Sequence, residues 1–500
     1  MWYEHDMRMA LAAAPTARWG LKVACFVVLV ALMAALTYSF AVLTVRPLDG
    51  VEGNILYEAQ RLRASLPLYV SPERGAFDQG PVPARYYVLY PPVWVALLSL
   101  VPSARMAIVG RLVACAAWFG LLLAIPLRAP AARRRATCVA AAFAGGVYTL
   151  ALFGSAARPD SLAVALAGLG LLHAVETRRV DFLSGMLFAL AAWTKPNVLG
   201  IAAGTLLAGA WLDRRAAARA VAGAGVASAL VAGILQLASH GAWMQHLVRS
   251  TAQPLSASVW MASALWRLQF LGAPLALALF AAWRARADDS ARIAFGALAG
   301  SLPWTLFELA KIGSASNYWM EPVVAAVVAV SRAPVPWPVG SPWALPAAAG
   351  ALLQSLWTGV ATVRSSIEAI AVDQEQAALM ARARVDCGAR EGDLVAADDP
   401  GYEVMLNGRI VTTPFQMTHL VRRGLFRPEL WIADMERAEV RCLLTQNDLL
   451  ERPLDDVRVA DDHFPPELRR VLRAKFAFLE EQGGLRLYTA RDPRDLTDPR

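Results

Sequence analysis

The 500-residue chain is 57% hydrophobic and only 18% charged, with a mean hydropathy of +0.42. Charged residues make up about 25% of an average soluble protein, so this composition excludes both an ordinary cytosolic enzyme and a disordered chain. The net charge of +8 comes from residues scattered between apolar runs, which is unlike a nucleic-acid-binding tail. Residues 1–361 contain 28 basic residues (Lys and Arg) and 15 acidic residues (Asp and Glu). Residues 362–500 contain 20 basic and 25 acidic residues. The chain therefore divides into a basic apolar body and a mildly acidic body.

The first apolar run, residues 23–45, follows Arg8, Arg18 and Lys22 and has no small-residue cleavage pattern after it. We interpret it as an uncleaved signal anchor, with residues 1–22 as a cytoplasmic N-terminus. A helix of about 20 apolar residues crosses a bilayer, and shorter runs need flanking residues to do so. Ten further candidate spans are residues 106–127, 136–153, 162–175, 182–193, 198–211, 221–238, 270–283, 293–309, 323–330 and 344–357.

One more apolar segment, residues 90–102, determines the predicted topology. It has only about a dozen residues between its prolines, which is short for a spanning helix. If it does not cross, the arginine clusters of the later loops fall on the same side as the N-terminus, as the positive-inside rule requires. We therefore predict a juxtamembrane helix at the outer surface, eleven spans in residues 23–361, and a first outer loop at residues 46–105.

Residues 362–500 are predicted to form an extracytoplasmic α/β domain. Candidate strands are residues 393–398, 429–433 and 440–444, and a turn at Asn407-Gly408 precedes a fourth. Cys387 and Cys442 both lie here, where an oxidising compartment would permit a disulfide, although two reduced thiols fit equally well. No Cys/His spacing indicates a zinc site, and we predict neither a metal nor a cofactor.

Two carboxylates follow the first span. Asp49 and Glu52 are three residues apart, so both face one side if a helix begins here. A carboxylate at a membrane boundary can act as a general base toward a hydroxyl, and partial desolvation would raise its pKa toward the useful range. The same pair also fits a helix N-cap with an acidic first turn. The spacing leaves both interpretations open.

Lysine is rare, since four lysines stand against 44 arginines, and Lys195 and Lys311 lie at predicted outer ends of spans. An ammonium there suits a phosphate group, and Arg158 with Asp160 lies at the same depth. Each cation taken singly also fits ordinary snorkelling to the interface. A third polar group at this level consists of Asn317, Tyr318 and Glu321. Aromatic residues such as Tyr57 and Tyr90 suit sugar rings and lipid–water boundaries alike.

These residues, taken in order, resemble those of the bacterial glycosyltransferase family 39-like proteins of the GT-C superfamily, which includes the protein O-mannosyltransferases and the aminoarabinose transferases of lipid A. The resemblance covers roughly residues 20–330. The motifs that carry it are the acidic pair after the first span, Tyr90-Pro-Pro-Val-Trp94, Arg111, Ala157-Arg-Pro-Asp-Ser161, Thr194-Lys-Pro-Asn197 and Asn317-Tyr-Trp-Met-Glu-Pro322.

The resemblance implies an all-α polytopic GT-C-like protein of the bacterial inner membrane. It implies transfer of a sugar from a polyprenyl-phosphate donor to an acceptor hydroxyl of a lipid, glycan or protein, with inversion. Asp49, with Glu52 second, then takes the role of base. The resemblance also implies that Lys195 and Arg158 bind the carrier phosphate, whose charge must be neutralised as it leaves. The predicted substrate-binding set also contains Asp160, Asn317, Tyr318, Glu321, Tyr57 and Tyr90.

A transporter or flippase for an amphipathic glycolipid is the alternative. Transporters tend to show internal repeats and ionisable groups at the membrane midplane. The sequence shows no clear repeat, and apart from Glu308 its acidic residues lie near the ends of spans. Membrane lipids are expected partners under either hypothesis, and nucleic acid under neither.

Overall fold

The computed structural model describes residues 15–77, 82–251, 253–333, 344–446, 448–453 and 464–491. The chain forms two compact units, each built from separate parts of the sequence. The helical unit contains the described residues up to Val42 together with Arg111–Ala232 and Pro254–Ile367. The mixed unit contains Leu43–Gly110, Gly233–Gln253 and the described part of Glu368–Arg500. The candidate first outer loop thus belongs to the same unit as the C-terminal body.

Helices account for most of the described chain. In order they are α1 (Pro15–Thr44), α2 (Gly50–Arg63), α3 (Val93–Ser99), α4 (Ser103–Leu127), α5 (Ala131–Gly145), α6 (Tyr148–Ser155), α7 (Asp160–Thr177), α8 (Phe182–Thr194), α9 (Gly200–Leu212), α10 (Arg214–Ser239), α11 (Ala242–Thr251), α12 (Ala257–Arg284), α13 (Asp289–Glu308), α14 (Met320–Arg332), α15 (Ala344–Asp386), α16 (Pro400–Asn407), α17 (Pro414–Arg422), α18 (Pro428–Arg437) and α19 (Pro466–Lys475). A 3₁₀-helix, Ser316–Trp319, precedes α14.

Each of the eleven apolar stretches predicted to span the membrane is mostly helical, and residues 136–153 are divided between α5 and α6, which confirms a helical body. Among the described residues, five helices are long and apolar enough to cross a bilayer on their own: α1, α4, α7, α10 and α12. The pair α5 and α6, bent by 75°, makes a sixth if it is one broken span. Residues 90–102 form only the seven-residue helix α3, which confirms that the segment is too short to span, and its place at the outer surface stays a prediction. The eleven-span count and the orientation of the termini stay predictions.

Glycines allow two apolar helices, α9 and α13, to pack closely in the helical unit. Gly200 and Gly204 of α9 face Gly296 and Gly300 of α13, and a Cβ atom at Gly204 would lie 2.0 Å from the carbonyl oxygen of Gly296. Small residues four apart on both helices are the usual means of bringing transmembrane backbones together. This contact sets the distance between α9 and α13. It therefore also sets the positions of the residues at the ends of these two helices.

The C-terminal body contains a four-stranded sheet in the order β1-β2-β4-β3. The strands are β1 (Leu394–Ala397), β2 (Val440–Gln446), β3 (Phe476–Gln482) and β4 (Leu485–Ala490). The β1–β2 pair is parallel and the other two pairs are antiparallel. Two of the predicted strands, 393–398 and 440–444, are therefore confirmed.

The other two predicted strands are wrong. Residues 429–433 lie in α18, because Pro428 starts a helix and the buried Trp431, Asp434 and Met435 follow helical spacing. After the turn at Gly408, residues 409–412 make only an isolated bridge from Thr412 to Arg85. The sequence prediction also missed β3 and β4, which are joined by Gly483-Gly484, both with positive φ. That glycine pair is a typical hairpin turn.

The structure chooses between the two interpretations of the cysteines in this body. Cys387, just after α15, and Cys442 of β2 form a disulfide with a Cα–Cα distance of 5.7 Å. The bridge joins the end of a 43-residue helix to the sheet.

Candidate functional site

A buried ion pair and an amide form the centre of the polar cluster in the helical unit. Asp160 opens α7, Lys195 follows α8, and Asn317 lies in the 3₁₀-helix before α14. The Lys195 ammonium donates to Oδ1 of Asp160, and Nδ2 of Asn317 donates to the same oxygen at 2.6 Å. Asp160 and Lys195 are each 2% exposed. Three residues that the sequence placed in the candidate site are thus in direct contact.

Two oxygens of this cluster have no donor. Within the described part of the chain, no hydrogen bond reaches Oδ2 of Asp160 or Oδ1 of Asn317, although both atoms are buried. A buried acceptor left without a donor costs about 1–3 kcal/mol, so buried polar groups are nearly always satisfied by protein, water or ligand. These two oxygens suit hydroxyl or water donors.

A second polar layer lies beside the first. Nδ2 of Asn197 donates to the carboxylate of Glu308 and to the hydroxyl of Tyr318, the latter at 2.9 Å. Lys311 donates to both oxygens of Glu308 at 2.7 Å. The Lys195 ammonium lies 4.9 Å from the centre of the Tyr318 ring, a cation–π contact that joins the two layers. Each of the two lysines is therefore neutralised by a neighbouring carboxylate.

Glu321 and Arg158 lie at the edge of this network. Glu321, 3% exposed, accepts the backbone N–H of Ile201 at 2.6 Å and so satisfies a donor in the first turn of α9. Arg158 is half-buried, and its guanidinium lies 5.0 Å from the ring centre of Phe153.

A cavity of about 410 Å³ adjoins the network in the helical unit. Its lining includes Phe153, Ser263, Trp266, Arg267, Ser314 and Ser316. No carboxylate of the described residues pairs with Arg267, which lies three turns into the apolar helix α12. The Arg158 guanidinium contacts the ring of Phe153, and Ser316 directly precedes Asn317. The cavity wall and the network therefore use the same chain segments. An arginine with hydroxyls and aromatic rings around one cavity suits an anionic group attached to an apolar body.

In the mixed unit, Asp49 and Glu52 form a capping box at the start of α2. Oδ1 of Asp49 accepts from the backbone N–H of Val51 and Glu52, and Oε2 of Glu52 accepts from the N–H of Asp49. Arg46 donates to Oδ2 of Asp49 at 3.1 Å. The side chain of Asp49 is 16% exposed, whereas Glu52 is 0% exposed. The helix-cap interpretation is thus confirmed. Of the two candidate bases, Asp49 has the more solvent-accessible side chain.

The two predicted aromatic contacts differ in exposure. Tyr57 is fully buried, receives a hydrogen bond from Arg61 at 3.4 Å and packs edge-on against Tyr86. Tyr90 is half-buried in the segment before α3. We therefore give Tyr57 a packing role and leave it out of the proposed site. Among the described residues, no group of three or more His, Cys, Asp or Glu side chains is arranged to hold a metal ion.

Three residues of the network and cavity were not predicted as site residues: Asn197, Glu308 and Arg267. The signal for the two charged ones was present in the sequence, because an ionisable residue inside an apolar helix is rare and is usually functional. Glu308 ends α13, and Arg267 interrupts α12. Their partners and their cavity depend on how the helices pack.

The chain is similar to two crystal structures of ArnT from Cupriavidus metallidurans. With the structure bound to undecaprenyl phosphate, the TM-score is 0.53 at 13% identity over 94% of this chain and 98% of that chain. With the apo structure, the TM-score is 0.52 at 13% identity over 97% of this chain and 100% of that chain. No protein-family model and no curated protein matches the chain. The likeness confirms the predicted fold class, a polytopic helical fold like that of ArnT with a C-terminal α/β domain.

Proposed function

We propose that the protein is a glycosyltransferase of the bacterial inner membrane that uses a sugar carried on a polyprenyl phosphate. The observation that carries this proposal is the ArnT-like fold over nearly the whole chain, since one of those structures holds undecaprenyl phosphate. The cavity with Arg267 supports it, because the ligand must combine an anionic head with a long apolar tail.

The proposed reaction is an inverting displacement with Asp49 as base. The acceptor hydroxyl loses its proton to the Asp49 carboxylate while its oxygen forms a bond to the anomeric carbon of the sugar. The bond from that carbon to the carrier phosphate breaks, and polyprenyl phosphate leaves with the electron pair. Asp49 suits this role better than Glu52 because Glu52 is fully buried and its Oε2 already holds the helix cap.

The leaving phosphate needs cations, and the charges in the helical unit suggest which ones. Lys195 was predicted for this role, but Asp160 already neutralises much of its charge. No carboxylate of the described residues pairs with Arg267, and both Arg158 and Arg267 provide planar guanidinium groups, which bind phosphate well. We propose that these two arginines bind the carrier phosphate, and that Asp160 and Asn317 accept hydrogen bonds from sugar hydroxyls.

Replacing the base tests this function directly. We expect Asp49→Asn to lower sugar transfer by about 10²–10⁴-fold, the range typical of a lost general base. Asn keeps the cap because its side-chain oxygen still accepts the N–H of Val51 and Glu52. The measurement is transfer from radiolabelled polyprenyl-phosphate sugars in membrane vesicles, with acceptors identified by mass spectrometry of the cell envelope.

Glu52→Gln is the matched control, because it changes a carboxylate in the same cap and should retain most of the activity. Unchanged transfer by Asp49→Asn would rule out Asp49 as the base. Movement of a glycolipid across vesicle membranes without any transferred sugar would favour the transporter alternative.

A further inference from the structure

We propose that helix α16 of the C-terminal body positions the Asp49 carboxylate by direct backbone contact with the start of α2. This inference rests on the proposed function, in which Asp49 is the base. All the contacts lie within the mixed unit. Through these contacts the C-terminal body takes part in catalysis by positioning the proposed base. None of its side chains needs to contact the substrate.

The contact is between two glycines. A Cβ atom at Gly53 of α2 would lie 2.4 Å from Cα of Gly401 in α16. A Cβ atom at Gly401 would lie 2.2 Å from the carbonyl oxygen of Leu48 and 2.7 Å from that of Asp49. No Cβ atom fits at such distances, so both positions need glycine for the two backbones to touch. One of the two carbonyls at the α16 surface belongs to Asp49 itself.

Two further contacts extend along the same segment. A Cβ atom at Gly50 would lie 3.2 Å from Oδ1 of Asp399, the residue that caps α16. The N–H of Leu48 donates to the sulfur of Met405, one turn further along α16, at 3.2 Å. The chain from Leu48 to Gly53 therefore follows the surface of α16, with Asp49 in the middle of it.

Helix α16 is in turn connected to its own domain by a buried carboxyl group. Glu403 is 0% exposed and accepts three backbone N–H groups, from Ala397 at 3.1 Å, Val411 at 2.6 Å and Thr412 at 3.2 Å. One of these donors belongs to β1 and the other two to the segment that bridges Arg85. Burial raises the pKa of Glu403 to about 8 against the opposing effect of these hydrogen bonds. These three hydrogen bonds connect the helix to β1 and to the segment at residues 411–412.

We expect the contact with α16 to affect the position of the Asp49 carboxylate more than the binding of the donor. Asp49 uses Oδ1 to cap α2 and Oδ2 to meet Arg46, so its carboxylate moves with the backbone of residues 48–53. A displacement of about 1 Å in a reacting group can cost roughly 100-fold in rate while ground-state binding persists. Gly401 is thus a positioning residue, and its replacement should affect kcat and not the donor KM.

The test is Gly401→Ala, with Gly53→Ala as a second variant. Gly225→Ala is the matched control, because nothing lies within 4 Å of a Cβ atom at that helical glycine. We expect both contact variants to lower kcat for sugar transfer by about 100-fold with the donor KM unchanged. The control should keep wild-type kcat. If wild-type protein transfers sugar and Gly401→Ala does so at the same kcat, the inference is overturned.

A second arm does not require activity. The free thiols Cys25, Cys115 and Cys138 are replaced by serine, and Asp49→Cys is introduced with and without Gly401→Ala. We expect the maleimide labelling rate of the introduced thiol to differ between these two proteins and to be unaffected by Gly225→Ala. Equal rates would overturn the inference. If the wild-type protein transfers no sugar, the proposed function fails while the labelling result still decides whether α16 positions residue 49.

Discussion

At the scale of single residues, the main constraint is the cost of burying charge. A buried ion left alone is strongly destabilising, whereas a buried pair with hydrogen bonds is tolerated. Asp160 with Lys195, and Glu308 with Lys311, meet this condition. Arg267 lies beside a cavity in the same helical unit, and no carboxylate of the described residues pairs with it. A half-buried cation that no described carboxylate neutralises suits an anion brought by a ligand.

We therefore expect Arg267→Gln to raise the KM for the polyprenyl-phosphate donor by tenfold or more, because each charge-assisted contact with phosphate contributes about 1.5–3 kcal/mol. Transfer kinetics in vesicles at several donor concentrations provide the measurement. Arg284→Gln, at the exposed end of the same helix, is the control and should leave KM unchanged. A similar KM for both variants would remove Arg267 from the phosphate site.

His246 leads to a prediction about pH. Its Nδ1 accepts the N–H of Val88 at 3.1 Å, and the rings of Tyr69 and Tyr87 pack against it. Burial lowers the pKa of His246 to about 4, so the folded protein holds the neutral imidazole. A depressed pKa contributes stability that is present above the unfolded pKa of about 6.5 and lost as the pH falls toward 4.

We expect the melting temperature of the wild-type protein to fall between pH 6.5 and pH 4 by more than that of His246→Asn. Asparagine offers an oxygen to Val88 and does not titrate in this range. Thermal melts of both proteins in one detergent across this range provide the measurement, and the variant corrects for the titration of all other groups. A constant difference in melting temperature would show that His246 does not titrate on unfolding.

At the scale of secondary structure elements, close packing of glycines on α9 and α13 positions the network. Asn197 lies just before α9 and Glu308 ends α13, so these residues meet only when the two helices have the correct separation. The interior of a protein is dense, and a single added side chain there displaces its neighbours. Helix separation thus controls the second polar layer.

We expect Gly204→Val to lower both thermal stability and sugar transfer, since even a Cβ atom at Gly204 would lie 2.0 Å from the carbonyl oxygen of Gly296. Overpacking of this kind costs about 1–3 kcal/mol and sometimes more. The measurements are melting temperature in detergent and transfer rate in vesicles. Gly225→Val, at a helical glycine with open surroundings, should change neither quantity by a comparable amount. Equal effects of the two substitutions would contradict the packing argument.

At the scale of the whole molecule, the predicted topology assigns the excess positive charge of residues 1–361 mainly to inner loops. The C-terminal body is then outside the membrane, where the disulfide between Cys387 and Cys442 is chemically stable. The same prediction assigns residues 46–105, which include the proposed base Asp49, to the outer side of the membrane.

We expect alkaline phosphatase fused after residue 491 to be active in cells, because this enzyme matures only outside the cytoplasm. The same reporter fused after Arg179, in the turn between α7 and α8, should be inactive and provides the control. A green fluorescent protein at the N-terminus should fluoresce. An inactive C-terminal fusion together with an active one after Arg179 would invert the topology.

The sequence by itself determined the helical body, the short helix before α4, and two of the four strands of the sheet. These features depend on the length and spacing of apolar residues within one segment, which are local properties. It also identified Asp49, Glu52, Asp160, Lys195 and Asn317 as polar residues gathered near helix ends. Strand prediction failed at residues 429–433, where Pro428 and a helical spacing of buried side chains outweighed the local apolar run.

Only the tertiary structure decided which of those residues meet. Asp160 is 35 residues from Lys195 and 157 from Asn317, and Gly53 contacts a glycine of the C-terminal body. Such contacts are set by how closely helices approach, and that approach depends on glycines and shapes contributed by distant segments. For the same reason, the sequence could not decide whether Cys387 and Cys442 form a disulfide. Two cysteines 55 residues apart can bridge only if folding brings their Cα atoms within reach.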